Sequence, residues 1–229
     1  MLEILLEAAV VVAILVLFTV LNALYRKLKW AILVPTLTCS ALIIILLLGM
    51  GTSYDMFMRG GQWLSYCLGP AVVALAYPMY KQLDVLLKEW RAVLGGTAVG
   101  ILTGMLSGIG LALWMDYPTE LIISLLPKSI TTPVAMGIAG GLGGNASITS
   151  VFVMIAGFTG VVLGPMIFRC FRITNDIGLG IGFGAASHAL GTSKAVEFGP
   201  VVVSTSTVAL TLSAVFGSML APLIVWVLP

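Results

Sequence analysis

Lys128 sits in the string Pro127-Lys-Ser-Ile-Thr-Thr-Pro133, in the middle of a long apolar region. A charge at that depth in a membrane is expensive, so it should line a cavity or face a partner. Pro127 and Pro133 forbid a continuous helix here. Ser129, Thr131 and Thr132 can satisfy backbone groups freed by the break, with Thr132 the expected N-cap of a half-helix beginning at Pro133. A helix start offers free N–H groups and a partial positive charge. Lysine and helix start together describe an anion site suited to a carboxylate. The bland alternative is a surface loop whose lysine snorkels into lipid headgroups.

His188 is the single histidine, within Gly184-Ala-Ala-Ser-His-Ala-Leu-Gly-Thr192. A lone histidine is more often a packing residue than a ligand. Here Ser187, Gly191 and Thr192 accompany it in a glycine-rich, interrupted stretch. That points to a substrate hydrogen bond or a proton-coupling role. One histidine without a cysteine or carboxylate cluster does not make a metal site. Ser187-His188 could imitate part of a hydrolase triad, but no nucleophile elbow surrounds it, so no enzymatic activity is expected. Gly140-Gly-Leu-Gly-Gly144 lacks the GK[ST] of a phosphate loop, and no cofactor is indicated. Lys194 and Glu197, at i, i+3, read as a structural ion pair at a membrane edge or as coupling residues. Tyr77 could add a hydroxyl to the same site.

The elements that must carry these residues follow from composition. Of 229 residues, 60% are hydrophobic and only 9% charged, 11 basic and 9 acidic. A soluble domain carries about a quarter charged residues. With a mean hydropathy of +1.15, the chain is an all-α polytopic membrane protein. Soluble enzymes, nucleic-acid binders and disulfide scaffolds are excluded, and the net charge of +2 implies no nucleic-acid partner. Cys39, Cys67 and Cys170 are odd in number and scattered, which describes free thiols. Glu3 and Glu7 are the only early charges, so the first apolar run is a retained crossing rather than a signal peptide.

Apolar stretches run over 2–25, 30–50, 62–83, 92–115, 146–168, 177–199 and 201–228. Gly69-Pro70 and Pro78 break the third. Polar loops are expected at Tyr54, Asp55 and Arg59, and at Lys81 to Arg91. The basic clusters at 26–29, 81–91 and Arg169–Arg172 favour the cytoplasmic side. Together they predict seven crossings, plus a re-entrant hairpin around Pro127 to Pro133. A shift of 115 residues lays Gly69 on Gly184 and Ala74-Leu75 on Ala189-Leu190. This predicts a single membrane domain of two inverted structural repeats, 1–116 and 117–229, with discontinuous helices, as in transporters. Gly96, Gly100, Gly104 and Gly108 share a helix face suited to close packing or to a homodimer interface.

Three strings carry a resemblance: Leu68-Gly-Pro-Ala-Val-Val-Ala-Leu-Ala-Tyr-Pro-Met-Tyr-Lys-Gln82, Pro127-Lys-Ser-Ile-Thr-Thr-Pro-Val-Ala-Met136 and Ala185-Ala-Ser-His-Ala-Leu-Gly-Thr-Ser-Lys-Ala195. In order and over nearly the whole chain, the sequence resembles the LrgB/CidB family of bacterial inner-membrane proteins. Lys194 stands where arginine is common in that family, and a lysine offers a point charge rather than a bidentate fork. The resemblance implies a bacterial cytoplasmic membrane and two functional accounts. One is control of murein hydrolases and autolysis with a small, holin-like LrgA/CidA partner. The other is transport of small monocarboxylates such as pyruvate or glycolate. The residues favour transport, because a holin-like pore needs no intramembrane lysine, histidine and broken segments.

Overall fold

The computed structural model describes residues 2–28, 33, 35–67, 70, 73, 76–81 and 83–227. Regular structure among them is all helical. The chain divides into two compact units, Met1–Ala74 and Leu75–Pro229. Lys29, Leu68, Gly69, Ala71, Val72, Ala74, Leu75 and Gln82 lie outside the described residues. The basic cluster, the first break and the first family string are therefore seen only in part.

The first unit holds α1 (Leu2–Leu28), α2 (Pro35–Met50) and α3 (Tyr54–Tyr66). The expected polar loop at Tyr54, Asp55 and Arg59 is instead the start of α3. Its reason is local: the Ser53 hydroxyl accepts the Met56 N–H at 3.3 Å, and Asp55 faces the positive end of the helix. Trp63 Nε1 donates to Glu7 Oε2 at 2.9 Å, tying α3 to α1.

The second unit comprises α4 (Ala76–Lys81), α5 (Leu83–Lys88), α6 (Trp90–Trp114), α7 (Thr119–Leu125), α8 (Thr132–Gly141), α9 (Ala146–Cys170), α10 (Asp176–Ala195), a 3-10 turn (Val196–Phe198) and α11 (Pro200–Val227). The expected loop over Lys81 to Arg91 is thus largely helical. Pro78 lies in the first turn of α4, where its missing N–H interrupts nothing, so it does not break this helix. Helices α1, α6, α9 and α11 are long and apolar enough to cross a membrane.

Between α6 and α9 the chain enters and returns. Loose turns continue α7 to Ile130, through Leu126 N–H to Ile122 O and Ile130 N–H to Pro127 O. Helix α8 then runs back, and the Asn145 N–H donates to Ser124 Oγ at 2.7 Å. A straight broken helix would leave those two residues some 30 Å apart. The segment is therefore a hairpin whose tip is Lys128 to Thr131. The Ser124 hydroxyl closes its mouth, donating in turn to Glu120 O at 2.7 Å.

Helix α10 is also two limbs. His188 has φ 42° and ψ −134°, a conformation reserved almost wholly for glycine. Beyond it the chain doubles back. Gly191 lies on the Phe183 carbonyl with no room for a side chain. The rings of Phe183 and Phe198 stand 5.2 Å apart, and Ala195 joins Leu179, Phe183 and Val202 in one apolar cluster. The first limb, Asp176 to Ser187, is about 18 Å long against a hydrocarbon core of roughly 30 Å. The stretch 177–199, expected to cross, is instead a second hairpin.

Close contacts fix the directions. Gly96 meets Ile181 and Gly100 meets Ala185, so α6 runs parallel to the first limb of α10. Gly180 meets Thr205 and Gly184 meets Ala209, so α11 runs the same way. Gly164, Gly160 and Gly157 meet Phe183, Ser187 and His188 in turn, so α9 runs opposite. Helices α6 and α11, superposed by the 115-residue shift, therefore point in one direction, and an inverted duplication in that register does not describe them. The opposed pair is shorter: Thr119–Cys170 and Asp176–Val227 are equal in length. Each is a hairpin followed by a spanning helix, and they enter from opposite ends.

Candidate functional site

The two hairpin tips reach the same level of α6, near its middle. Gly100 of α6 takes Ala185, three residues before the His188 tip, and Gly104 takes Ser129 of the other tip. These glycines are one turn apart, about 6 Å along the axis. The glycine face of α6 is thus covered by this chain's own hairpins. Gly95 and Gly110 have nothing within 4 Å.

Lys128 is half-buried, and its Nζ donates to the carbonyl of Gly104. Beside it, a Cβ on Gly108 would stand 2.6 Å from the ammonium. Among the described residues, no carboxylate pairs with Lys128. An ammonium has three donors, so two remain for a ligand. Ser129 is buried against Gly104. Pro127 is buried and Pro133 exposed, and they bracket the break as expected. The cap differs by one position. Helix α8 starts at Thr132 with Thr131 as its N-cap, extended at φ −59° and ψ 138°, and no side chain caps it. Pro133 falls in the first turn, where its missing N–H interrupts no helical bond. The first N–H groups of α8 consequently stay open.

His188 is buried at 3% exposure, and its Nε2 lies 2.8 Å from Val153 O on α9. A carbonyl only accepts, so Nε2 carries the proton, and in the neutral tautomer Nδ1 is then an acceptor. Ser187 is buried against Gly160 on the same helix. Thr192 turns away from the tip: its hydroxyl shares a 2.9 Å bond with Ser206 of α11 and donates to His188 O at 3.2 Å. Gly191 serves the reversal itself. Lys194 and Glu197 form their ion pair, at 2.7 and 2.8 Å, with Glu197 about half exposed. Tyr77 is 64% exposed, with the Lys81 ammonium 4.8 Å from its ring centroid. Pro70 is exposed.

The structure therefore brings Lys128, Ser129, Ser187 and His188 to one level of the second unit, with Thr131 and Thr132 at the open start of α8. Sequence reasoning missed what supports them. Asn145 caps α9, accepting from Ser147 and Ile148 N–H at 3.0 and 3.2 Å. An asparagine opening a long apolar run was the available signal. It also missed a polar belt. Ser204, Thr205, Ser206 and Thr207 on α11 are all buried, and the hydroxyls of Thr97, Thr205 and Ser213 have no partner among the described residues. Buried hydroxyls without partners are costly, at about 1–3 kcal/mol each, and mark where a polar ligand is tolerated. Among the described residues no cluster of three His, Cys, Asp or Glu side chains could hold a metal.

Comparison with known proteins places this geometry in a group. The model of a family described as LrgB-like matches residues 14–227. The uncharacterized protein YxaC of Bacillus subtilis is 52% identical over 203 residues, 89% of this chain and 88% of its own. YwbG of the same organism is 39% identical over 188 residues, 82% of this chain and 84% of its own. The holin-like protein CidB of Staphylococcus aureus is 33% identical over 210 residues, 92% of each chain. No solved structure matches.

Proposed function

The chain belongs to the LrgB-like family, and from that premise we propose that it is a carrier of small monocarboxylates, such as pyruvate or glycolate, in the bacterial cytoplasmic membrane. What supports this reading is that two opposed hairpin tips reach one level of α6, one holding a lysine that pairs with no carboxylate among the described residues and the other a strained, buried histidine. Opposed broken segments around a mid-membrane site are what an alternating-access carrier needs. The substrate carboxylate takes the spare donors of Lys128 and the open N–H groups of Thr132 and Val134. Ser129, Thr131 and Ser187 hydrogen-bond the rest. His188 Nδ1 accepts a substrate hydroxyl or the coupled proton. Each hairpin closes the path from its own end. Lys194 and Glu197 hold the returning limb of the second hairpin, and Tyr77 stands outside this site.

In this reading α1, α2, α6, α9 and α11 cross the membrane, and both hairpins dip in and return. Arg169 and Arg172 then share the cytoplasmic side with Lys88 and Arg91, which accords with the charge rule. The chain works as a homodimer, without enzymatic activity or cofactor.

The likeness to a holin-like protein favours a second reading, which the family resemblance extends to a regulator of murein hydrolases acting with an LrgA/CidA-like partner. Lysis effects would then follow from a pore rather than from weak-acid transport. The deciding experiment is uptake of labelled pyruvate, lactate, acetate and glycolate into proteoliposomes, with and without a proton gradient. Saturable uptake lost in Lys128→Ala supports the carrier. Unselective dye leakage that neither Lys128→Ala nor His188→Ala alters would sink it.

A further inference from the structure

A cavity of about 600 Å³ lies at the base of the second hairpin, far from the tips. Pro165 and Phe168 of α9, Leu179 of α10 and Phe198 of the 3-10 turn make an apolar wall. Arg169 and Arg172 stand on its rim, both exposed. Among the described residues neither guanidinium has a carboxylate or hydrogen-bond partner.

Arg172 occupies a position that disfavours it. Helix α9 ends in a reversed turn, with Ile173 N–H bonded to Phe168 O at 2.8 Å and Arg172 N–H to Arg169 O at 3.2 Å. The residue at the turn adopts φ 55°, a left-handed conformation that usually selects glycine. An arginine there accepts backbone strain to put a second guanidinium on the rim. The same end of the unit carries the start of α6, where Arg91 lies 5.5 Å over the ring of Trp90. Tryptophan and basic residues together mark the headgroup level of a membrane.

We infer that this cavity binds the phosphate headgroup of an anionic phospholipid. Two arginines match a phosphate as bidentate donors, and the aromatic and aliphatic wall takes the glycerol backbone and the upper acyl chain. Basic pockets at the ends of spanning helices suit such headgroups. The site is separate from the proposed carboxylate site and does not depend on it.

The test uses the full-length protein in detergent, with thermal unfolding and native mass spectrometry as readouts. Phosphatidylglycerol is expected to raise the melting temperature and to remain bound, while phosphatidylcholine does neither. The Arg169→Gln, Arg172→Gln double variant should hold phosphatidylglycerol at least about tenfold more weakly. Arg172→Gly separates charge from fold: relief of the left-handed arginine should keep or raise the melting temperature without lipid, while the phosphatidylglycerol shift shrinks. Equal shifts with both lipids, or an undiminished shift in the double variant, would overturn the proposal. So would a full shift from glycerol phosphate alone, which would make this a site for a soluble phosphate.

Discussion

His188 Nε2 donates to the carbonyl of Val153 at 2.8 Å, a bond between the tip of the second hairpin and the middle of α9. It holds the ring where the backbone reverses, at φ 42° and ψ −134°. Backbone strain of this kind costs on the order of 1–3 kcal/mol and persists only where surrounding contacts impose it.

Substitution at this position should therefore split stability from activity. His188→Gly relieves the strain that His188→Ala retains, so the glycine variant should be the more stable by about 1 kcal/mol. Both should lose uptake. Thermal unfolding in detergent, set beside uptake assays, checks the pair. An alanine variant as stable as the glycine one would show that the reversal carries no strain.

The packing of α9 against that tip makes a sharper contrast. A Cβ on Gly157 would stand 2.6 and 2.7 Å from two atoms of the His188 ring, and one on Gly160 would overlap the Ser187 hydroxyl. Gly157→Ala and Gly160→Ala should each cost about 1–3 kcal/mol by overpacking. Gly95→Ala and Gly110→Ala, with nothing within 4 Å, should be neutral or stabilise by up to about 1 kcal/mol, because glycine weakens a helix interior. Chemical denaturation of the four variants measures this directly.

At the other tip, Gly108→Ala would place a methyl 2.6 Å from the Lys128 ammonium. A flexible lysine end can move, so the fold should survive. The donor geometry should not, and KM for the carboxylate is expected to rise about tenfold, the loss of one charge-assisted hydrogen bond. Uptake kinetics at several substrate concentrations separate this from a change in kcat.

The mouth of the first hairpin depends on Ser124. Its hydroxyl accepts the Asn145 N–H and donates to Glu120 O, each at 2.7 Å. Ser124→Ala leaves the Asn145 N–H without that partner and should cost about 1–3 kcal/mol. Asn145→Ala removes the α9 cap instead and should cost about 1 kcal/mol. Hydrogen exchange should show faster opening over 119–145 in the serine variant, and over the first turn of α9 in the asparagine variant.

Some of this was open to reading along the chain. Pro127 and Pro133, bracketing a polar string, announce their break because each lacks the N–H that a helix interior needs. Lys194 and Glu197 face each other because three residues bring side chains to one side of a helix. The start of α3 was missed although Ser53 and Asp55 signalled it, since a polar cluster between apolar runs reads equally as a loop. The second hairpin carried only a weaker sign, a glycine-rich stretch from Gly184 to Thr192 that reads as interrupted without showing where the chain turns. Its tip, Ala186-Ser-His-Ala-Leu190, contains no proline.

The sequence by itself determined the class: with 9% charged residues the chain cannot cover itself with a water-facing surface, and that follows from composition alone. It also pointed to the break between Pro127 and Pro133, although Pro165 within α9 and Pro222 within α11 show that a proline alone does not end a helix. Only the tertiary structure decided that the chain reverses at His188 and that α6 and α11 run in the same sense. Those outcomes rest on contacts between residues distant in the chain: Gly157 with His188, Gly191 with the Phe183 carbonyl, Gly184 with α11. A non-helical backbone without proline exists only while such neighbours hold it, so the glycine-rich pattern could suggest an interruption but not place the reversal at His188.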